Sequence, residues 1–335
     1  MPHDTHMSPN ARTLRLATAN DREALATLIR DSTNAYYVEQ LARPPIFPPD
    51  KLVTTDMVDL YAALDGSECL LCVGAVEEAG QVAGEILGSC FYHVRETHVS
   101  LGIMNVSSAH FGKGVARQLL TEILERASAL GRSVRLVSSC LNLDSYSLYT
   151  RLDFAPFEFY QDMLFRVPAA GYPVPSPGQG IRVRPATLAD LDAITALEQS
   201  VSGISRASDF HHFITNPDGH WHVSMAESFE ELADGSAEEI CGVLASCASA
   251  ACNMIGPGVV LPEAGSATAA ALIVTELNRH PERTPVVLVP GRFPELVQAL
   301  YAIGGRNCEL HVGQSTASVA PPAGISLPTF LPETG

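Results

Sequence analysis

Residues 99–130 read VSLGIMNVSSAHFGKGVARQLLTEILERASAL, and this stretch decides the fold that we predict for the chain. An apolar strand leads into a loop containing Gly112 and Gly114, and a long helix follows with a basic residue in its first turn. The first turn of a helix leaves backbone N–H groups without intrahelical partners and carries partial positive charge, so it can hold an anion. Glycine lets a backbone approach phosphate oxygens closely, and Lys113 and Arg117 add full positive charge. The order of these features therefore predicts a phosphate-binding loop.

Basic residues are scarce in this chain, which has 21 Lys and Arg residues against 37 Asp and Glu residues. The two lysines are Lys51 and Lys113, and one of them lies in the loop. The glycine spacing is G-x-G-x-A from Gly112 to Ala116, which is neither the G-x-G-x-x-G of a dinucleotide fold nor the G-K-S/T of a Walker loop. Because glycines between a strand and a helix can also form only a tight connection, this pattern needs a second signal.

A second strand and helix follow downstream of the loop. Residues 134–142 read VRLVSSCLN, typical of a buried strand, and residues 143–154 read LDSYSLYTRLDF, typical of a short amphipathic helix. Together with residues 99–130, these segments resemble the GNAT superfamily of acyl-CoA-dependent N-acyltransferases. The resemblance covers roughly Leu14 to Arg166, including two β-rich runs at 69–78 and 81–94 that predict a hairpin.

The resemblance depends on two motifs in the right order. The first is V-x-P-x-x-Q/R-x-x-G-x-G/A, which the chain matches at Val106, Gly114 and Ala116, while Ser108 replaces Pro and Phe111 replaces Gln or Arg. The second is N-x-x-A-x-x-L-Y-x-x-x-G-F. It is matched in register at Asn142, Leu148, Tyr149 and Phe154, with Ser145 in place of Ala and Asp153 in place of Gly.

The family resemblance implies a set of site residues. Those expected to bind the coenzyme are Met104, Asn105, Val106, Phe111, Gly112, Lys113, Gly114, Val115, Ala116, Arg117 and Asn142. The resemblance implies that acetyl-CoA is the acyl donor, while the His and Cys residues show no spacing typical of a metal site. It also implies that Tyr149 is the acid for the departing thiolate, and that Asn142 holds the pantetheine arm or a water molecule.

Several roles stay open at this stage. A phenol with a pKa near ~10 suits donation to a thiolate, but Tyr149 could equally be a helix residue that only packs. Glu85, Glu96 and His98 lie near the strands that usually supply the general base, and a water relay would serve as well. Phe111 cannot donate a hydrogen bond to phosphate, so binding would depend on the two cations and the backbone amides.

A duplication is visible after a Pro- and Gly-rich stretch, VPAAGYPVPSPGQG, at residues 167–180. The sequence that follows repeats the start of the chain in fixed order, which indicates tandem copies of one domain. The matching residues are Arg184, Ala186, Thr187 and Asp190, which correspond to Arg15, Ala17, Thr18 and Asp21. The predicted organisation is a disordered tail at 1–12, a coenzyme-binding GNAT domain at 13–167, a linker at 168–180 and a degenerate GNAT-like domain at 181–335. The fold class is α/β (α+β), with two tandem domains that each have a mixed, mostly antiparallel twisted sheet flanked by helices.

The second copy has lost the charge that a diphosphate needs. Gly265 and Ala267 keep the G-x-A spacing, but Glu263 stands close by and the loop has no Lys or Arg. Pro257 and Pro262 each remove an N–H donor. Because a like charge beside a diphosphate is unfavourable, we interpret this copy as a structural or substrate-shaping partner, with a second active site as the alternative.

Composition limits the partners. The net charge of −16 disfavours nucleic acid, which needs a basic surface, and it favours cationic acceptors such as amines, although acidic surfaces also serve solubility alone. No apolar run approaches the ~20 residues of a membrane span, and the first ten residues do not resemble a signal peptide. We therefore expect a cytoplasmic monomer or homodimer with no membrane partner, reduced cysteines and no metal.

The predicted function is acyl-CoA-dependent N-acylation, with acetyl transferred from acetyl-CoA to a primary amine of a small molecule or peptide. Two alternatives remain: a non-catalytic CoA-binding module, and a GNAT-fold lyase or decarboxylase acting on an acyl-CoA. The acceptor pocket is expected from the variable helices near Tyr36 to Leu60, with the Pro-rich segment LARPPIFPPDKL at residues 41–52 lining its mouth.

Overall fold

A computed structural model describes residues 12–48, 54–78, 81–229 and 239–334. The predicted tail at 1–12 lies outside the described residues except for Arg12, which already belongs to a strand. Contacts divide the chain into two compact units. The first unit is Met1–Val94 with Leu101–Gly131, and the second is Arg95–Ser100 with Arg132–Gly335.

The first unit carries an antiparallel sheet covered by helices. Its strands are β1 (Arg12–Leu16), β2 (Ser67–Glu78), β3 (Gln81–Val94) and the larger part of β4 (His98–Val106), and its helices are α1 (Arg22–Ala35), α2 (Thr54–Ala62) and α3 (Val115–Ala129). β1 pairs with β2 and β2 pairs with β3, both antiparallel, so the predicted hairpin is confirmed. α3 packs one apolar stripe inward, because its buried residues recur at helical spacing: Val115, Leu119, Leu120, Ile123 and Ala127.

The second unit has a larger mixed sheet. Its strands are β5 (Ser133–Ser139), β6 (Ala155–Leu164), β7 (Ile181–Pro185), β8 (Trp221–Ser228), β9 (Glu239–Ala248), β10 (Asn253–Val260), β11 (Val286–Pro290), β12 (Arg306–Ser315) and β13 (Ile325–Leu327). Its helices are α4 (Leu143–Thr150), α5 (Leu191–Ser202), α6 (Ala207–Thr215), α7 (Gly265–Leu277) and α8 (Pro294–Ala302). The strand order is β5-β12-β6-β11-β10-β9-β8-β7, with β13 on β10. Within this unit β10 and β11 run parallel, as do β5 and the start of β4, and the other pairs are antiparallel.

The element order is duplicated, as the sequence repeat predicts. The series β-α-α-β-β-β-α-β-α-β runs from β1 to β6 and again from β7 to β12. The first helix of each copy follows the same local structure, a short 3-10 turn capped by Thr18 in one copy and Thr187 in the other. The mostly antiparallel α/β fold with two tandem copies is therefore confirmed.

The last strands of the two copies are exchanged. β12 of the second copy lies between β5 and β6 of the first, and β6 of the first copy lies between β12 and β11 of the second. This exchange explains why the two compact units do not follow the repeat boundary. Residues 132–164 belong to the first copy by sequence, but β5 pairs on one side with β12, and β6 pairs with β12 and β11, which are strands of the second copy.

The core of the second unit surrounds α7, which is apolar on almost every side. Its sequence GSATAAALIVTEL offers small and aliphatic residues, and all residues from Thr268 to Leu277 except Thr275 are buried. A helix that is apolar all round is stable only when it is enclosed, and here residues from β9, β10 and α8 pack against it. In the described part of the chain, no helix has both the length and the apolar character needed to cross a membrane.

Candidate functional site

The predicted site residues fall in both units. The segment from Met104 to Arg117 belongs to the first unit, whereas Asn142 and Tyr149 belong to the second.

The predicted phosphate loop connects β4 to α3. Gly112 has φ 71° and Gly114 has φ 80°, so both adopt the left-handed conformation that glycine takes at little cost. Gly114 is the N-cap of α3, and no side chain caps this helix. A Cβ atom built on either glycine would meet nothing within 4 Å. The loop therefore presents its backbone to open space.

Unpartnered backbone donors cluster at the start of α3. Within the described residues, the N–H groups of Gly112, Gly114, Val115, Ala116 and Arg117 donate to no protein acceptor. The first intrahelical bond at this end is accepted by the Gly114 carbonyl. Such a group of donors at a helix N-terminus, aided by the helix dipole, is suited to an anion.

Cations surround the same backbone. Lys113 and Arg117 are exposed, and a third cation is Arg12 of β1, whose Nη1 donates to the Lys113 carbonyl oxygen at 2.8 Å. Sequence reasoning missed Arg12, because 101 positions separate the two residues and no local pattern predicts their contact. The Phe111 ring is 36% exposed at the edge of the loop.

The Asn105 side chain is buried and hydrogen-bonded to α1, so it is not exposed at the loop. Its amide Nδ2 donates to Ser32 Oγ at 2.8 Å, and that hydroxyl donates in turn to the Leu28 carbonyl of α1. The amide therefore ties the end of β4 to α1.

The second predicted motif forms the start of α4. Asn142 is the N-cap, and its Oδ1 accepts the Ser145 N–H at 3.0 Å, while its Nδ2 donates to no acceptor among the described residues. Tyr149 is 7% exposed, and its ring centroid lies 5.7 Å from that of Phe154. Asp153 has φ 65°, so it adopts the left-handed conformation at the position where the motif has glycine.

A polar cluster that sequence reasoning missed lies on β5, β6 and β12. His311 is the cross-strand partner of Ser139, which ends β5 just before the α4 motif. The His311 Nδ1 lies 2.8 Å from the Asp162 carboxylate, and its ring stacks on Phe330 with centroids 4.6 Å apart. Ser139 donates a hydrogen bond to Glu309. The strand exchange assembles this cluster, so it has no signature within either repeat.

Part of the chain is similar in sequence to a known protein family. The model of the acetyltransferase (GNAT) family matches residues 34–154. The matched segment makes up 121 of the 335 residues. No curated protein sequence matches the chain significantly.

Solved structures share the fold over the whole chain. A proposed acetyltransferase from Pyrococcus horikoshii is 13% identical, with a TM-score of 0.64 over 99% of both chains. A GCN5-related N-acetyltransferase from Sphaerobacter thermophilus is 17% identical, with a TM-score of 0.60 over 93% of this chain and 98% of that one. A tandem GNAT protein from the clavulanic acid biosynthesis pathway is 13% identical, with a TM-score of 0.56 over 92% and 99%. The tandem GNAT fold follows from these likenesses.

The counterpart of the phosphate loop in the second GNAT copy differs in its donors. Gly265 has φ 69°, like Gly114, but its N–H donates to the Leu261 carbonyl at 3.3 Å. Thr268 in the first turn of α7 donates to the Pro177 carbonyl of the linker at 2.6 Å. Thus one donor is already used, and the linker contacts the first turn.

The structure describes part of the segment that is expected to form the pocket for the amine acceptor. The chain after α1 forms a π-helical turn at Tyr36–Gln40, and the Asn34 amide fixes the Pro-rich segment by donating to and accepting from the Phe47 backbone at 2.9 Å each. Residues 49–53, which include the rest of that segment, lie outside the described residues.

Metal ligands and disulfides were also predicted to be absent. No group of three or more His, Cys, Asp or Glu side chains in the described ranges is arranged to hold a metal ion. The eight cysteines, all of which lie in those ranges, are free thiols. Burial raises the pKa of the Cys241 thiol to about 11 and keeps it protonated at neutral pH.

Proposed function

We propose that the chain is an acyl-CoA-dependent N-acyltransferase that transfers acetyl from acetyl-CoA to a primary amine of a small molecule or peptide. One observation carries the proposal: five N–H groups at the start of α3 have no acceptor among the described residues, and the exposed Lys113 and Arg117 lie in the same loop and first turn. A diphosphate complements these groups, because its oxygens accept hydrogen bonds and its negative charge pairs with the cations. The match of residues 34–154 to the GNAT family supports acyl-CoA as the compound that carries the diphosphate.

The loop suits the diphosphate in spite of its altered motif. Phe111 offers no hydrogen bond where the family has Gln or Arg, so the charge must come from Lys113 and Arg117. Arg12 holds the Lys113 carbonyl and adds a third positive charge to the same backbone. This cation compensates for the residue lost at Phe111.

Asn142 and Tyr149 are assigned roles by the same proposal. Capping α4 occupies only the Oδ1 of Asn142, so its amide NH2 is left for the pantetheine arm or an ordered water. Tyr149 would protonate the departing thiolate, since a phenol with a pKa near ~10 is protonated at neutral pH.

His311 is our candidate for the general base. Asp162 binds Nδ1 and fixes the ring, and the Nε2 atom has no partner among the described residues. In the reaction, the amine gives a proton to Nε2, the amine nitrogen forms a bond to the thioester carbonyl carbon, and the C–S bond breaks. The thiolate then takes the proton of Tyr149, and the proton held by His311 returns to the Tyr149 phenolate through solvent, which restores both side chains.

A second candidate function is a CoA-binding module without turnover. The observation that favours it is the burial of Tyr149, which is 7% exposed and packs on Phe154. A cytoplasmic location and a monomer or homodimer, with no nucleic acid or membrane partner, are part of both proposals. The acidic net charge of −16 supports an amine acceptor over nucleic acid.

Acetyl-CoA titration of matched glycine variants tests the proposal. Gly114→Asp and Gly265→Asp each place an acid at a left-handed position with open space around the Cβ, so their costs in stability should be similar. We expect Gly114→Asp to abolish acetyl-CoA binding, measured by calorimetry, while Gly265→Asp binds like the unmodified chain. Equal losses in both variants would contradict the assignment of the coenzyme to the first copy.

Thiol release from acetyl-CoA over a panel of amines then separates the two candidate functions. Release that depends on an amine supports the transferase. Tight binding of acetyl-CoA without release for any amine supports the module, and release of carbon dioxide from a malonyl thioester without an amine supports a lyase.

A further inference from the structure

A small cavity in the second unit is lined by residues of β5, β6, the end of α5 and the segment 319–334. Its volume of about 10 Å³ has room for one water molecule or for one ion that replaces it. None of the residues proposed for acyl transfer lines it, and none of the described residues in its wall is Asp or Glu. The polar side chains of the wall are those of Arg135, Tyr160, Ser202, Ser326 and Thr334.

Arg135 brings a positive charge to this wall, and no described carboxylate forms an ion pair with it. Its Nη1 donates to the Ser202 carbonyl at 3.4 Å, and its guanidinium carbon lies 5.8 Å from the centroid of the Phe157 ring. Its Nε is buried and has no acceptor within the described residues. These contacts fix the position of the guanidinium group without neutralising its charge.

The charged side chains behind the cavity do not supply the missing negative charge. Arg95 pairs with Asp209 at 2.6 Å, and Arg206 pairs with Glu198, and all four side chains are at most 1% exposed. Burial, and then the charge of Arg206, lower the pKa of Arg135. Since each of the two pairs is neutral, these five side chains together carry one positive charge, and an anion beside Arg135 would balance it.

Two hydroxyl groups of the wall are also available as donors. Tyr160 is 2% exposed, and its hydroxyl forms no hydrogen bond with any residue that the structure describes. The Ser202 hydroxyl donates to Ser326 Oγ at 3.2 Å, which leaves the hydroxyl proton of Ser326 without an acceptor in the described ranges. A water molecule here would need acceptors for its own two hydrogens, whereas an anion accepts from all three donor groups and needs none.

We infer that this cavity binds a single halide ion, chloride in ordinary buffers, which accepts hydrogen bonds from Arg135, Tyr160 and Ser326. Polyatomic anions such as sulfate or gluconate are larger than the space of one water molecule and do not fit. The ion would connect β5, β6 and β13, so its binding should stabilise the second unit. The inference does not depend on acyl transfer.

Thermal unfolding of the full chain tests the inference when sodium chloride replaces sodium gluconate stepwise at constant ionic strength and pH 7. The unfolding midpoint should rise with chloride and saturate with a Kd in the millimolar range, by about 3 °C at ten times that Kd. Bromide should act like chloride. Broadening of the chloride-35 NMR line by the protein measures the binding directly at a constant temperature.

Two variants assign the effect to the cavity. Arg135→Met should abolish the chloride dependence of both measurements, because it removes the charge. Tyr160→Phe, which keeps the ring, should raise the Kd for chloride by about tenfold or more. The matched control is Arg279→Met, which removes an exposed arginine of the same unit and should leave the Kd unchanged.

Equal midpoints in chloride and gluconate for the unmodified chain, with no broadening of the NMR line, would overturn the inference. An unchanged Kd in Tyr160→Phe would show that chloride binds elsewhere and would also overturn it, even if Arg135→Met did not fold. Crystals grown with bromide give the position of the ion. An anomalous peak beside Arg135 and Tyr160 would support the inference, whereas a water molecule there at saturating bromide would contradict it.

Discussion

At the scale of single residues, His311 and His280 show that the hydrogen-bond partners of a buried histidine determine whether it can act as a base. His311 has a carboxylate on Nδ1 and a ring stacked on Phe330. His280 is also buried, but neither of its ring nitrogens has a partner among the described residues, and burial lowers its pKa to about 4. A neutral, unpartnered imidazole in the core contributes packing. An imidazole oriented by a carboxylate can accept a proton and be stabilised as a cation.

The proposed proton transfers lead to a prediction for His311 and Tyr149. His311→Asn should lower kcat for amine acetylation by about 10²–10⁴-fold, because the base is lost. Asp162→Asn should lower kcat less, since the ring remains and only its orientation changes. Tyr149→Phe should lower kcat with little change in KM for acetyl-CoA.

His211→Asn, at an exposed position of α6, is the control and should leave kcat unchanged. If His311→Asn kept full kcat, the base would have to be another group or a water molecule.

At the scale of elements, the start of α1 and the start of α5 have the same construction. Thr18 and Thr187 each donate to an aspartate three residues later, and Asp21 and Asp190 each accept two bonds from an arginine of the preceding strand. These guanidinium bonds hold the pKa values of both aspartates well below their usual range. One copy has an addition, because Arg184 also donates to Glu227 at 2.9 Å.

The shared construction gives a prediction with a built-in comparison. Asp21→Asn should lower the free energy of unfolding by about 1 kcal/mol, and Asp190→Asn by less, since Arg184 keeps Glu227 as a partner. A carboxyl group whose pKa is lowered by folding stabilises the protein above its unfolded pKa of about 3.9 and loses that effect as the pH falls further. Thermal unfolding of each variant and the unmodified chain at pH 7 should therefore show a difference that shrinks below about pH 4.

A difference that persists unchanged at low pH would mean that the side-chain shape, not the charge, stabilises the turn. The unfolding midpoint at pH 7 should fall by about 2 °C for Asp21→Asn.

Elements and their order could be predicted from the sequence because their signals are local. The glycine loop before α3, the strand and helix around Asn142, and the repeated Arg-Ala-Thr-Asp pattern all lie within short windows. The structure confirms those elements and the tandem fold. Roles of individual site residues stay predictions, since bound coenzyme would be needed to place them.

Contacts between distant segments could not be predicted in the same way. Arg12 contacts the Lys113 carbonyl across 101 positions, and Asp162 meets His311 across 149. Neither pair has a spacing that a periodic pattern could indicate. The neighbours of β6 and β12 in the sheet could not be predicted either. An alternating pattern predicts which face of a strand is buried, but it does not predict which strand pairs with it.

At the scale of the whole molecule, the exchanged strands join the two GNAT copies more firmly than a linker would. β12 pairs with β5 over His311–Ser315 and with β6 from Arg306 to Ser315, so its hydrogen bonds on both sides go to the other copy. The linker is also fixed, since Tyr172 exchanges two backbone hydrogen bonds with the Asn278 amide. The two copies therefore form one folding unit in this region, although the sequence repeat suggests separable domains.

This exchange predicts what happens when the chain is divided at Val174, an exposed linker residue. Residues 1–174 and 175–335, expressed together, should purify as a 1:1 complex, because each fragment supplies a strand that the other needs. Either fragment alone should aggregate, since it would expose strand edges with unpaired N–H and C=O groups along β5, β6, β11 or β12. Size-exclusion chromatography and thermal unfolding measure both states. A fragment 175–335 that is monomeric on its own and unfolds cooperatively would contradict the prediction and would support two independent domains joined by a passive linker.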